Sequence, residues 1–419
     1  MLVPRFVGPT FEAMLAGFRI VLVEGARQVG KTTFVRDLAG LDATTSLSLD
    51  DPATLAAATA DPTGLIEALP PRTAIDEYQR GGTELLLAIK AKVDRDATRG
   101  QLILTGSTGF GASGAPVETL AGRMGRIEVR PLSVGERTNA REAFIDAVFE
   151  PAAWPGPEPG VITRAEVAQL LVGGGYPEVV TTEMTGRVRD LWFDGYIDDV
   201  VGREALRPIA DVRDELALRR TLRLLAARTS GELVMADLAR DADIHPDTAA
   251  TYVRLLEALH LVTIVRAWAS SATTRAKRRP KIVLSDVGLA AALTRVGSDA
   301  LVGPLPDTQA LGRLLETYVV GEIAKQRSWA NRGVELQHFR DRNGAKVDLV
   351  LEDRHSGEIA GIEVKASATP RARDARHLAQ LRDAVGDRFR TGIVLHLGSA
   401  TLPLGDRLWA CPIGALQRT

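Results

Sequence analysis

The chain has 419 residues, and at about 150 residues per domain this length predicts two to four domains. Its 52 basic and 53 acidic residues give a net charge of −1, which excludes a bulk polycation, so any nucleic-acid contact must come from a local basic patch. The single cysteine, Cys411, excludes an internal disulfide framework, and the histidines lack the spacing of a zinc site. Because no apolar run approaches the roughly 18 residues of a membrane span and no signal-peptide pattern opens the chain, we expect a cytoplasmic protein without membrane contact.

Two stretches rich in proline and glycine, 149–160 and 303–309, divide the sequence. Missing amide donors and flexible backbone make both unsuitable for regular elements. We therefore predict three domains, at residues 1–148, 160–302 and 305–419.

The first block alternates short apolar runs with helical patterns. Runs at 19–23, 45–49, 101–105 and 127–130 are typical of strands buried on both faces, and 33–38 and 82–93 of helices. This pattern predicts an α/β domain with a parallel sheet. The second block is mainly helical over 164–259, and the third begins with a helix and continues with strand-like runs, which indicates α+β or α/β.

Residues 25–32 (GARQVGKT) match the phosphate-binding pattern G-x-x-x-x-G-K-[ST], between a predicted strand and a predicted helix. The glycines let main-chain N–H groups point at phosphate oxygens, and the helix adds the positive end of its dipole. Lys31 is expected to contact the β and γ phosphates of ATP, and Thr32 to bind Mg²⁺. The alternative is a glycine-rich turn that only spells the pattern. The expected nucleotide contacts are Gly25, Ala26, Arg27, Gln28, Val29, Gly30, Lys31, Thr32 and Thr33.

Asp76 and Glu77 end a short apolar run, where side chains emerge at the carboxyl edge of a sheet. We expect Asp76 to hold Mg²⁺ through water and Glu77 to polarise the attacking water; a pair of surface acids is the alternative. Ser107 follows another predicted strand and is either a sensor of the γ phosphate or a helix N-cap. Arg123 or Arg126 is either an arginine finger for a neighbouring subunit's nucleotide or an ordinary solvated side chain.

These segments, together with Arg5, the GGGYPEVV segment at 173–180 and FRDRNGAKVDLVLE near the C-terminus, resemble a large prokaryotic family of AAA-type ATPases. Its members carry a C-terminal domain of unknown function that looks like the PD-(D/E)XK nuclease fold. The resemblance covers nearly the whole chain and implies the Walker A and Walker B roles of Lys31, Thr32, Asp76 and Glu77. It also implies a sensor role for Ser107 and a finger role for Arg123.

Residues 235–259 have helix-turn-helix spacing, with Pro246 in the first turn of the second helix. A basic segment follows between two strand-like runs, which predicts a winged helix with a basic wing that grips DNA phosphates without base readout. The alternative is a solvated loop on a protein-interaction module. The expected DNA contacts are Arg275, Lys277, Arg278, Arg279 and Lys281.

In the third block, Glu363 and Lys365 share one face of a predicted strand, with Asp348 on the strand before it. Two carboxylates suit Mg²⁺, and a lysine stabilises charge during phosphodiester hydrolysis. Glu316 lies among apolar residues of the upstream helix. The resemblance to PD-(D/E)XK nucleases assigns a cleavage site to Glu316, Asp348, Glu363 and Lys365. The alternatives are acids kept for structure or DNA binding, or a Glu363–Lys365 pair on a wet sheet face.

The sequence therefore predicts a Mg²⁺-dependent AAA-type ATPase that self-assembles and couples ATP hydrolysis to DNA binding, processing or translocation. An ATP-regulated metal-dependent endonuclease is one alternative. A nucleotide-dependent signalling switch that binds a protein partner and no DNA is the other.

Overall fold

The computed structural model describes residues 3–39, 45–108, 120–154, 162–202, 212, 214–271, 275, 278–341 and 344–418. In this part of the chain the fold is α/β, with two sheets. No helix among these residues has the length and apolar character needed to cross a membrane.

The N-terminal region contains a five-stranded sheet in which every pair is parallel, in the order β2-β3-β4-β1-β5. Continuous apolar runs form its central strands because helices cover both faces. The fifth strand begins and ends earlier than predicted, since its pairing with β1 sets Glu128 opposite Glu24. The elements are α1 (Gly8–Gly17), β1 (Ile20–Glu24), α2 (Lys31–Ala39), β2 (Ser46–Ser48), α3 (Pro52–Ala60), α4 (Pro62–Ala68), β3 (Thr73–Asp76), α5 (Gly82–Arg95), β4 (Leu102–Gly106) and β5 (Met124–Glu128).

The middle region is mainly helical, as expected. Two helices lie at the positions of the predicted helix-turn-helix, and the second starts at Pro246 behind an N-cap at His245. The elements are α6 (Val134–Thr138), α7 (Phe144–Val148), α8 (Arg164–Gly173), α9 (Pro177–Thr181), α10 (Gly186–Val201), α11 (Glu215–Ala227), β6 (Gly231–Glu232), α12 (Met235–Ala242), α13 (Pro246–Ala258), β7 (Val262–Ala267), β8 (Lys281–Leu284), α14 (Val287–Leu293) and α15 (Ser298–Val302).

The C-terminal region packs two helices against strands that continue the sheet of the middle region. Its elements are α16 (Thr308–Gln326), β9 (Val334–Arg340), β10 (Lys346–Asp353), β11 (Ile359–Lys365), α17 (Arg376–Val385), β12 (Phe389–His396), β13 (Leu402–Gly405) and β14 (Leu408–Pro412). The strands β7 and β9 pair in parallel, with Arg266 opposite Gln337, and this pairing creates one nine-stranded sheet. Its order is β13-β14-β12-β11-β10-β9-β7-β8-β6.

The largest apolar core crosses the predicted domain boundaries. It runs from Val7 beside the N-terminal sheet, through Leu256 of the middle region, to Leu416 near the C-terminus. Smaller cores lie beneath the N-terminal sheet, around Ile89, and beneath the C-terminal sheet, around Leu378. The three sequence blocks therefore share buried surface.

Candidate functional site

The predicted phosphate loop lies between β1 and α2 at the carboxyl edge of the N-terminal sheet. Its backbone has positive φ at Gly25 (152°), Gln28 (60°) and Gly30 (88°). These left-handed and extended turns bend the chain into a loop with its amide groups on the inside. A Cβ at position 25 would lie 2.1 Å from the carbonyl oxygen of Val129, so only glycine fits there. The glycine spacing in the sequence thus has a steric cause as well as a conformational one.

The Lys31 ammonium lies inside this curl. Its Nζ donates to the carbonyl oxygens of Gly25 (3.0 Å) and Ala26 (2.9 Å), and the residue is 6% exposed. Burial lowers the pKa of Lys31 to about 8, against the opposing effect of the Glu77 and Asp76 carboxylates. The Lys31 ammonium is thus a buried cation whose hydrogen-bond acceptors are neutral carbonyl oxygens. An anion bound in the loop would stabilise its charge.

Asp76 joins the ends of three elements. Thr32 Oγ1, in the first turn of α2, donates to Asp76 Oδ2 at 3.1 Å, and the hydroxyl of Thr105 on β4 donates to Asp76 Oδ1. A hydroxyl next to a carboxylate is the hard oxygen donor set that Mg²⁺ prefers, so these residues fit the ion. Thr105 is not among the residues predicted from the sequence; its position at the carboxyl end of the strand between β1 and β3 was the available signal.

Glu77 and Ser107, predicted separately, are in contact. Ser107 Oγ donates to Glu77 Oε2 at 2.9 Å, and the Gln79 side-chain amide donates to the same oxygen. Glu77 itself has φ of 52°, a left-handed conformation that turns the chain directly after β3. The alternative N-cap role of Ser107 depends on residues 109–119, which lie outside the described part of the chain. Gln79 is a second residue that the motif search did not find.

Arg123 lies at the opposite edge of the sheet from its own phosphate loop. It precedes β5, whose amino end is at that edge because β1 and β5 are parallel. Its Nη2 is 3.1 Å from Asp94 Oδ2 at the end of α5. Arg126 is an exposed side chain within β5. A finger role for either arginine stays a prediction. Arg5 is partly buried, with Nη1 3.5 Å from Glu136 Oε2.

The middle region covers the phosphate loop. Arg27 Nη1 donates to the Asp199 carbonyl oxygen at 3.0 Å, and the hydroxyl of Tyr196 donates to the Arg27 carbonyl oxygen at 3.4 Å. Tyr196 in turn accepts a 2.8 Å hydrogen bond from Tyr176, which belongs to the GGGYPEVV segment. That segment also brings Pro177 to van der Waals distance of a Cβ built on Gly30. The loop is thus connected directly to α9 and α10.

The four predicted C-terminal site residues also meet. Asp348 on β10 accepts a hydrogen bond from the Val364 amide on β11 at 3.0 Å, and Lys365 Nζ is 2.5 Å from Glu363 Oε1. The Glu363 Oε2 atom is buried without a hydrogen-bond partner. Burial and the Asp348 charge raise the pKa of Glu363 to about 7 and that of Glu316 to about 8.

Lys281 corrects one prediction. Assigned to the DNA-binding wing by sequence, it is the first residue of β8 and points into the C-terminal acids, because β8 joins the same sheet as β10. Its Nζ is 2.5 Å from Glu316 Oε1 and 3.5 Å from Asp348 Oδ1, and the residue is 9% exposed. A buried ammonium cannot also contact DNA. Among the described residues no group of three or more acids, histidines or cysteines is arranged to hold a metal ion, and the Lys281 ammonium contacts two of the four predicted residues.

The rest of the basic segment is divided among several contacts. Arg275 Nη1 is 2.9 Å from Glu352 Oε2, and Arg278 donates to the Arg340 carbonyl oxygen. Arg279 is exposed, whereas Lys277 lies outside the described residues. Of the five predicted contacts, Arg279 alone is described as an exposed side chain.

Three family models match separate parts of the chain. Residues 17–138 match a model of an AAA domain, 164–300 a domain of unknown function (DUF8612), and 311–416 another domain of unknown function (DUF4143). The uncharacterized proteins Rv2008c of Mycobacterium tuberculosis and Mb2031c of Mycobacterium bovis are each 26% identical over 402 residues, which is 96% of this chain and 81% of theirs.

Solved structures with similar folds are more distant. The Walker-type ATPase paby2304 of Pyrococcus abyssi has a TM-score of 0.44 and 16% identity, over 70% of this chain and 96% of that one. The RuvB Holliday junction branch migration motor of Thermotoga maritima has a TM-score of 0.30 and 17% identity, over 61% and 88% of the two chains. No functional conclusion follows from similarities this weak. The motif, the parallel sheet and the matching domain model together identify residues 17–138 as an AAA-type P-loop domain, joined to two regions similar to domains of unknown function.

Proposed function

We propose that the protein is a Mg²⁺-dependent ATP hydrolase. The observation that carries this proposal is the contact of Thr32 with Asp76, which joins the metal-binding hydroxyl and carboxylate directly beside the buried Lys31. This combination of a phosphate loop, a lysine and a two-residue oxygen donor set is what phosphoryl transfer from a nucleotide requires. The bound Mg²⁺ would neutralise phosphate charge.

The side chains around Lys31 have separate roles in this proposal. Lys31 exchanges its two carbonyl contacts for phosphate oxygens, while Thr32 and Asp76 hold the metal. Glu77 orients and polarises water, and Ser107 fixes the Glu77 carboxylate through its 2.9 Å hydrogen bond. Because Ser107 lies at the end of β4, its contact with Glu77 is the route by which the γ phosphate would be sensed.

The test is phosphate release from ATP with Mg²⁺, by the wild type, by Lys31→Ala and by a matched control, Lys90→Ala. Lys90 is a partly exposed lysine on α5 that pairs with Asp94 at 3.7 Å and is remote from the loop. We expect turnover by the wild type and by Lys90→Ala, and none by Lys31→Ala. Equal turnover by all three proteins would remove the site assignment.

We further propose that ATP hydrolysis is coupled to DNA binding. The support is the order of α11, β6, α12, α13, β7 and β8, which is helix, strand, helix, helix, strand, strand, as in a winged helix, together with the exposed Arg279 on the wing. We expect Arg279→Ala to lower the slope of log affinity against log salt by about 1, and the exposed-surface control Arg187→Ala to leave it unchanged. If the wild type binds no DNA, the alternative of a nucleotide switch for a protein partner is favoured.

We also propose self-assembly in the presence of ATP. The reason is that an arginine too far from the phosphate loop of its own subunit is available to the phosphate loop of a neighbouring subunit. Arg123 lies at the far edge of the sheet and is the residue to change. Size-exclusion chromatography with and without ATP tests the assembly. Loss of turnover in Arg123→Ala with the assembly retained would support the finger role.

Phosphodiester cleavage by the C-terminal region is the second candidate function. The convergence of Glu316, Asp348, Glu363 and Lys365 favours it, and the Lys281 ammonium between two of the acids opposes it. Plasmid cleavage with Mg²⁺ is compared in the wild type, Asp348→Asn and the exposed control Asp387→Asn. Cleavage that only Asp348→Asn abolishes, with ATP turnover unchanged, would support a nuclease; intact plasmid throughout would exclude one.

A further inference from the structure

A cavity of about 420 Å³ lies at the seam where β7 runs parallel to β9. None of its lining residues belongs to the phosphate loop or to the C-terminal acid cluster, and its volume is within the range of small-ligand sites. Its polar lining is dominated by arginines drawn from separate parts of the chain. These are Arg266, Arg275, Arg327 and Arg354, with Glu335 and Gln337 between them.

Two of the four arginines are neutralised. Arg275 pairs with Glu352, as described above, and Arg354 Nε is 3.6 Å from Glu335 Oε1. The guanidinium groups of Arg266 and Arg327 make no ion pair or hydrogen bond with any residue in the described ranges. The cavity therefore has two positive charges without a contacting anion.

The surroundings of these two arginines add little compensation. The side chain of Arg327 reaches solvent, yet partial desolvation lowers its pKa, and the like charges of Arg130 and Arg354 lower it further, against weaker opposite effects from Glu128 and Glu335. Arg266 interacts electrostatically with Glu257 without a contact within 4 Å. An anion in the cavity would satisfy both guanidinium groups.

Gln337 supplies a second kind of unmet contact. It is 4% exposed, and its Nε2 donates to Glu335 Oε2 and Glu352 Oε2, each at 3.1 Å. Its Oε1 atom is buried without a hydrogen-bond partner. Because buried acceptors are nearly always satisfied, this atom is an unmet hydrogen-bond acceptor on a residue that lines the cavity.

We propose that this cavity is a second phosphate site, which binds a terminal phosphate monoester on a nucleoside. A phosphate monoester carries nearly two negative charges at pH 7, which matches the two unpaired arginines, whereas a carboxylate or a backbone phosphodiester carries one. Planar guanidinium groups suit phosphate oxygens, and a base or sugar provides the donor for Gln337. Two sources have this chemistry, a free nucleoside monophosphate and the 5′-phosphorylated end of a nucleic-acid strand.

The test uses the Lys31→Ala protein, so that the phosphate loop does not contribute. Binding of AMP and of adenosine is measured by calorimetry, and binding of 12-nucleotide single strands with a 5′-phosphate or a 5′-hydroxyl by fluorescence anisotropy. We expect at least one phosphorylated probe to bind more tightly than its phosphate-free counterpart. The probe that does so identifies the source.

Arg327→Gln and Arg266→Gln, made in the same protein, are each expected to weaken that binding about tenfold or more, as the loss of a charged hydrogen bond does. Arg99→Gln, at an exposed loop position beside the N-terminal sheet, should leave it unchanged. Both cavity arginines are exposed, so the variants should fold. Equal affinity with and without the phosphate, or equal affinity in all three variants, would overturn the proposal. Because ATP turnover is not measured, failure of the ATPase proposal would leave this result unaffected.

Discussion

Replacing Lys281 by methionine tests the position that only the fold assigns to this residue. The substitution keeps the length of the side chain and removes its charge, leaving Glu316 and Asp348 without the ammonium that contacts both. The side chains of the three residues are 11%, 17% and 5% exposed, so water cannot replace the lost contacts. Removing one partner of a buried ion pair costs about 3–5 kcal/mol, a large share of the roughly 5–15 kcal/mol that stabilises a typical protein. We expect this full cost above pH 8, because the pKa of Glu316 is raised to about 8 and the carboxyl must be ionised to pair with Lys281.

The measurement is urea-induced unfolding followed by circular dichroism, for Lys281→Met and for the matched control Arg279→Met. Arg279 lies two residues away on the exposed side of the same segment, so its substitution should change stability by no more than about 0.5 kcal/mol. The pair Lys281→Met and Glu316→Gln, measured singly and together, should show a coupling energy of about 1–3 kcal/mol. Lys281→Met with the stability of the wild type, or a steeper loss in Arg279→Met, would refute the buried role and restore Lys281 as a surface contact for DNA.

Three further outcomes are expected. Glu77→Gln should lower ATP turnover by about 100-fold or more while labelled ATP still binds, because water activation and nucleotide binding use different groups. Gly25→Ala should destabilise the protein by about 2 kcal/mol or more and abolish ATP binding, since its φ is 152° and the new Cβ would lie 2.1 Å from the Val129 carbonyl oxygen; thermal unfolding and equilibrium binding measure the two effects. Burial lowers the pKa of His338 to about 4 from 6.5, so the unfolded state gains a proton first as the pH falls. The contribution of His338 to the free energy of unfolding should then decrease by about 2 kcal/mol between pH 7.5 and pH 5, and it is measured as the difference between urea titrations of the wild type and of His338→Gln at the two pH values.

The phosphate loop and the residues around it could be predicted because they lie in short, continuous stretches of sequence. A strand, a glycine loop, a lysine and a helix follow one another within residues 20–39, and their geometry depends on local backbone conformation. Asp76 and Glu77 were found for the same reason, since a strand end fixes where its next side chains emerge. Thr105 and Gln79 were not predicted because a single threonine or glutamine has no pattern. The contact of Thr105 with Asp76 exists only after β3 and β4 pair, whereas Gln79 contacts Glu77 from two positions away.

By itself the sequence determined the local elements, the phosphate loop and the shared face of Glu363 and Lys365, because each depends on residues a few positions apart. The tertiary structure alone decided that β7 pairs with β9, since nothing in either strand specifies a partner some seventy residues away. From that pairing come the single sheet, the burial of Lys281 among the C-terminal acids, and the cavity containing Arg266 and Arg327. A basic residue looks the same in a sequence whether its side chain faces solvent or pairs with a buried acid. Only the packing of distant strands distinguishes an exposed side chain from a paired one.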